Sequence, residues 1–265
     1  MSTPLPRFLS AGDTALTIEV AEGAGIAQSH RVMSLYNRIV TAPAPPPGIL
    51  DLVPAIRSLT VHYDPARTSA AELRQTLAPL ALEASNLPLD PDTDATIPGS
   101  RLWHIPACYE PTFGPDIETV ADHCKLTPWQ VTALHACVSY RVFMVGFLPG
   151  HPYMGDLPPP LRIPRRDTPR TSVPAGSIAI ATTMSVIYPL ESPGGWHIIA
   201  RTPIRLFDAA RSEPSLLAPG DEVRFMSISK SRFDELAASV ADGWTPTPEP
   251  THEPKPEPKP EEAAA

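Results

Sequence analysis

Proline occupies 36 of the 265 positions, and its distribution limits the fold more than any other feature of the sequence. It lacks a backbone donor and clashes with the preceding helical turn, so helices stop near it and central strands exclude it. From Thr245 onward the sequence TPTPEPTHEPKPEPKPEEAAA alternates proline with charge and is almost devoid of apolar residues. Such a segment buries too little surface to offset its ordering entropy. It reads as a disordered, partly extended tail, either a docking tail or a solvated extension. The remaining prolines punctuate the body.

The first hundred residues read as short alternating elements. Residues 15–20 are β-branched and alternating, as in a strand. Ile26, Met33, Tyr36 and Val40 recur at helical spacing, and the APAPPPG run at 42–48 ends that helix. Residues 49–53 and 59–63 are strand-like, with Pro54 between them. Ser69 with Glu72 forms a capping box opening a helix that carries Leu73, Leu77 and Leu80. Residues 101–105 follow as a strand. The order β-α-β-β-α-β predicts a ferredoxin-like N-terminal domain over residues 1–95. The polar, turn-rich segment 88–99 marks the boundary.

Beyond it, Ile117, Val120 and Cys124 share one helix face, and Thr127-Pro128-Trp129-Gln130 opens a second helix with a capping box. After Tyr140 the texture changes to short apolar strands, such as 177–181, 197–201 and 222–228, between proline–glycine turns. That texture predicts an antiparallel barrel or sandwich over residues 96–232, with the tail at 233–265.

Composition excludes several classes. A formal charge of −8 argues against nucleic acid or an acidic membrane surface as partner. Three cysteines without a CxxC pair argue for reduced thiols, and the N-terminus lacks the pattern of a signal peptide, so a cytoplasmic location is expected. No histidine–cysteine spacing fits zinc, and no metal is predicted. Phosphate-loop, nucleophile-elbow and HExxH motifs are absent, so any ATP site is expected in an assembly, not on this chain alone.

Three segments carry candidate chemistry. Residues 146–158, GFLPGHPYMGDLP, form a stiff loop around Phe147, His151 and Tyr153. Residues 163–177 cluster Arg165, Arg166 and Arg170, suited either to hold an anionic substrate or to pair with Asp156 and Asp167. Residues 188–197, YPLESPGGWH, carry a type II turn at Pro193-Gly194, after which Trp196 and His197 leave on opposite strand faces, one to pack and one to face a cleft. His135, on an apolar helix margin, fits either a structural role or a base.

Read together, IPACY at 105–109, FGPD at 113–116, YRVFMVGFLPGHPYMG at 140–155, PRRDTPRTSVPAGS, IYPLESPGGWH, RTP at 201–203, LFD at 206–208 and PGDEVRF at 219–225 closely resemble one family. It is the subunit-1 carboxyltransferase-like family, which includes the B-type subunit of 5-oxoprolinase, the small subunit of allophanate-hydrolase-type proteins and the kinase inhibitor KipI. The resemblance implies a small α/β domain followed by a cyclophilin-like β-barrel. It implies an ATP-dependent 5-oxoprolinase subunit, inactive alone, acting with a homologous larger C-type subunit and a third, A-type subunit. A histidine-kinase inhibitor and a subunit in urea metabolism are the alternatives. In the enzyme reading, Tyr153, His197 and His135 are the catalytic candidates, and Arg165, Arg170, Tyr188 and Trp196 the substrate-binding ones. The sequence departs from the family pattern at His151, usually phenylalanine, and at ATTMSV (181–186), usually glycine-rich.

Overall fold

The computed structural model describes residues 4–88 and 100–250. Most of the expected boundary segment (89–99) and the tail from 251 lie outside the described residues.

The N-terminal lobe comprises β1 (Arg7–Ser10), β2 (Ala15–Glu19), α1 (Ile26–Val40), β3 (Ile49–Pro54), β4 (Ser58–Tyr63) and α2 (Ala70–Ser85). The strands form an antiparallel sheet in the order β1-β2-β4-β3. Leu16, Ile18, Leu59 and Val61 point to one face and pack with Val32, Leu35, Ile39, Leu73 and Leu77 of the two helices. Thr17 and Thr60 point the other way, where their hydroxyls meet at 2.9 Å. The Ser69–Glu72 capping box forms as expected.

Residues 101–105 do not complete this sheet. The place beside β2 goes to β1, because Gly12, at φ +69°, lets the chain reverse directly onto it. The helix expected at 26–40 forms with those bounds. Its core face is Val32, Leu35 and Ile39, with Tyr36 packed against it; Tyr36 and the buried Met33 also line a groove of about 790 Å³ with Arg101, Phe207 and Leu217, and Val40 is exposed.

The second lobe contains β5 (Arg101–Ala107), α3 (Ile117–Cys124), α4 (Pro128–Ala136), β6 (Ser139–Val145), β7 (Pro152–Gly155), β8 (Arg170–Val173), β9 (Ser177–Ala181), β10 (Met184–Ile187), β11 (Ser192–Gly194), β12 (His197–Arg201), β13 (Glu222–Ser227), α5 (Lys230–Ala241) and β14 (Glu249–Pro250). Eight strands make one sheet, β12-β9-β10-β7-β6-β13-β5-β14, parallel only between β5 and β13. Reciprocal backbone hydrogen bonds between Cys108 and Arg201, at 2.9 and 3.0 Å, join the end of β5 to β12 and curl the sheet on itself. Alternation along β9 then separates two cores. Ile178 and Ile180 enter the large interior with Val142, Met154 and Phe225, while Ala179 and Ala181 lie on the outer face with Tyr188 and Trp196. The small size of Ala179 and Ala181 leaves room there for the aromatic rings. A separate β8–β11 ribbon brings Val173 onto that outer face.

Part of the tail expected from residue 233 is structured. Residues 230–241 form α5, which Ser229 caps and which packs through Phe233 and Leu236, and residues 249–250 pair with β5. The presumed loop 146–158 likewise contains β7, paired with both β6 and β10. No helix among the described residues is long and apolar enough to cross a membrane.

Candidate functional site

The outer face of β7, β9, β10 and β12 carries most of the residues singled out by the sequence. Tyr153 rises from β7, Tyr188 follows β10 and Trp196 precedes β12. The Tyr153 and Trp196 rings lie 6.0 Å apart edge to face. His151 sits between Tyr153 at 4.9 Å and Tyr188 at 5.1 Å. The Arg165 guanidinium stacks 5.6 Å above the Trp196 indole, a cation–π arrangement. Burial pushes the Tyr188 phenol up to about 12, with the Tyr153 phenol raising it further and the charges of Arg165 and Arg170 opposing. Burial raises Tyr153 as well, against the pull of Arg165. Both phenols therefore remain neutral donors at ordinary pH, facing a cation.

Gly194 is essential to this packing. The type II turn expected at Pro193-Gly194 is absent: both residues belong to β11, and Gly194 is not in the positive-φ region. Glycine is needed because any Cβ there would collide with the Tyr188 hydroxyl.

The arginine cluster is organised by Asp116, a residue that sequence reasoning noted only within the FGPD segment. Asp116 is almost wholly buried. Its carboxylate accepts both Arg170 Nη atoms at 2.8 and 2.7 Å, Arg166 Nη1 at 3.0 Å and the Ile198 amide at 2.7 Å. Burial alone would raise the Asp116 pKa, but the Arg170 hydrogen bonds, the Ile198 amide and the two cations outweigh it and hold the carboxyl below its usual range. The alternative of pairing with Asp156 and Asp167 is thus replaced by a buried partner from the N-terminal end of α3. Arg170 is committed to that ion pair, whereas Arg165 has no carboxylate partner among the described residues.

Trp196 and His197 diverge as expected. Trp196 packs in the outer aromatic cluster. His197 lines a neighbouring cleft of about 390 Å³ with Thr119, His123, Arg165, Arg166 and Asp167. Its Nε2–H donates to the Pro164 carbonyl at 3.0 Å, and its buried Nδ1 has no partner. Burial lowers the His197 pKa.

His135 does not join them. It is fully buried in the sheet interior, with Nδ1 2.8 Å from the Tyr109 hydroxyl, Nε2 3.0 Å from Ser185 Oγ, and its ring stacked on Phe225 at 4.6 Å. Burial lowers its pKa to about 3. Both ring nitrogens are satisfied, by hydroxyls that tie α4 to the segment after β5 and to β10. Among the described residues, no group of His, Cys, Asp and Glu is arranged to hold a metal ion.

Residues 6–217 match the carboxyltransferase domain, subdomain C and D. The chain belongs to that family. It is 39% identical to the B-type subunit of 5-oxoprolinase from Escherichia coli O157:H7 over 215 residues, covering 81% of this chain and 93% of that protein. It is 34% identical to the B-type subunit of 5-oxoprolinase from Bacillus subtilis (strain 168) over 242 residues, 84% of this chain and 92% of the other. The crystal structure of TTHA0988 superposes with a TM-score of 0.67 at 36% identity over 81% of this chain, which spans only 40% of that longer one. A urea amidolyase from Lachancea kluyveri is more distant, at 23% identity, and the chain spans 14% of it.

Both positions where the sequence differs from the pattern expected from the resemblance touch the outer aromatic face. His151, 2% exposed, has an unpartnered Nδ1, and burial lowers its pKa to about 4. The 181–186 segment forms the β9–β10 hairpin, where Thr182 occupies φ +55°, a conformation that suits glycine, and Met184 packs against the aromatic cluster.

Proposed function

We propose that the chain is the B-type subunit of an ATP-dependent 5-oxoprolinase, opening 5-oxo-L-proline to L-glutamate with partner subunits. The observation that carries this reading is the similarity to two proteins named as B-type subunits of 5-oxoprolinase, over more than nine-tenths of their lengths. The outer face supplies chemistry suited to such a substrate. Arg165 offers a guanidinium to the carboxylate, while the phenols of Tyr153 and Tyr188 can donate to the lactam carbonyl. Trp196 holds Arg165 in place and walls the site, and Arg170 and Asp116 fix the ribbon behind it. His197 is kept as the candidate base, its Nε2–H committed to Pro164 and its Nδ1 buried and unpaired.

In this proposal the site is composite. This chain forms one wall, a larger homologous C-type subunit forms the other, an A-type subunit completes the reaction, and ATP binds in the assembly. The curled sheet is read as a cyclophilin-like barrel, with the domain division near residue 95. A role in urea metabolism has less support, because the relative named for it is distant. The test is ATP-dependent glutamate release from 5-oxoproline by the three subunits, with this chain present and omitted. Activity independent of the chain refutes the assignment.

A further inference from the structure

We propose that the groove between the two lobes, beside Arg101, is a polyproline-binding site whose occupant is the proline-rich segment 251–260 of this same chain. The inference is independent of the 5-oxoprolinase reading.

Direction comes first. β14 runs antiparallel to β5, with Glu249 opposite Leu102 and Pro250 opposite Arg101. The chain beyond Pro250 is thereby headed toward Ser100, and Ser100 and Arg101 both line the groove. Strand pairing thus delivers the segment to the mouth of the groove. A tether this short gives an effective concentration of about 1 mM. A contact with a dissociation constant of about 1 mM, too weak to capture a separate molecule, is then half formed.

The walls match what such a segment offers. Residues 251–260 read THEPKPEPKP. Proline has no N–H, so the segment presents flat rings and backbone carbonyls but few donors. The groove, of about 790 Å³, carries the rings of Tyr36 and Phe207 together with Pro214 and Pro219. Aromatic-lined grooves are recurring receptors for extended proline-rich segments, whose preformed conformation lowers the ordering cost. The Tyr36 hydroxyl and the Asn37 amide supply donors for the carbonyls. Neither side chain makes a hydrogen bond to another described residue.

Charge sets the register. Glu213, whose side chain is 76% exposed, and Asp221 share the cation of Arg101, which leaves one net negative charge along the groove. Lys255 and Lys259 are the cations of the segment. An extended chain advances about 3.1 Å per residue, so Lys255 is within about 15 Å of Pro250. Glu213 lies 3.1 Å from Arg101, opposite which Pro250 is paired, and is therefore within reach of these lysines.

The experiment is nuclear magnetic resonance of the isotope-labelled full chain at low salt, over a dilution series. Nuclear Overhauser contacts between proline rings of 251–260 and the rings of Tyr36 or Phe207, unchanged on dilution, are the expected result. Glu213→Lys, at an exposed position, should weaken them at least about threefold, as should Lys255→Glu with Lys259→Glu. All three substitutions together should restore the contacts, an outcome that a damaged fold does not produce. Contacts that fade on dilution assign the groove to a second copy and overturn the proposal. Contacts made by residues 89–99 in place of 251–260, or none from 251–260 at any concentration, overturn it equally.

Discussion

His135 makes the fold sensitive to acid in a way that can be worked out in advance. The neutral ring is buried between Tyr109, Ser185 and Phe225, and its folded-state pKa is about 3, against about 6.5 in an unfolded chain. Between those values the unfolded chain binds a proton that the folded one refuses. The stability contributed by this group is therefore intact above about pH 6.5 and declines as pH falls. At pH 5 the linkage amounts to about 2 kcal/mol, and at pH 7.5 it is close to zero. Replacing His135 with Gln keeps one donor and one acceptor but removes the titration. The variant loses the Phe225 stack, so it is destabilised at pH 7.5 by roughly 1–3 kcal/mol. That deficit should shrink by about 2 kcal/mol at pH 5, because only the wild type pays for protonation there. Urea unfolding of both proteins at the two pH values reads this double difference, in which the packing loss cancels. An identical deficit at pH 7.5 and pH 5 refutes the reasoning and opens the interior to water.

Three further outcomes follow from the outer face. Asp116→Asn leaves Arg166 and Arg170 without their counter-charge and is expected to cost about 2–4 kcal/mol in urea unfolding at neutral pH, less than a fully buried pair because both arginines are partly exposed. The depressed Asp116 pKa contributes stability above the ordinary carboxylate range and loses it as pH falls through the folded value. Gly194→Ala drives a methyl into the Tyr188 hydroxyl and should cost about 1–3 kcal/mol, with a lower kcat/KM in the reconstituted complex; unchanged stability and activity contradict the close packing. Thr182→Gly relieves a left-handed threonine in the β9–β10 turn and should raise the urea midpoint, at constant m-value, by the equivalent of about 1 kcal/mol.

What the sequence conveyed was local chemistry. The capping boxes at Ser69 and Thr127 form as their spacing predicts, and β9, β12 and β13 lie where short apolar runs were bounded by turns. What it did not convey was pairing at a distance. The strand at 101–107 reads like any other, yet it leaves the first lobe to pair with β13, more than a hundred residues away. The same limit applies to the site. Tyr153, Tyr188, Trp196 and Arg165 converge as a group, but nothing in the spacing of Arg166 and Arg170 reveals that Asp116, some fifty residues upstream, binds both. His135 was undecided for the opposite reason. Its helical neighbours are apolar on either reading, and only the Tyr109 and Ser185 hydroxyls, supplied by other elements, show that both ring nitrogens are occupied. Gly194 carried a turn signature, whereas its actual constraint is the phenol of Tyr188 lying against it.

The most direct test of the account is the steady-state dependence on 5-oxoproline in the reconstituted three-subunit complex, with Arg165→Gln compared with wild type and assembly verified by size-exclusion chromatography. Arg165 is exposed and stacked on Trp196, so its loss spares the fold. The account predicts at least about a tenfold rise in KM, corresponding to about 1.4 kcal/mol of lost carboxylate binding. Unchanged kcat and KM in a fully assembled complex would place the substrate elsewhere and contradict the assignment of this face as a wall of the active site.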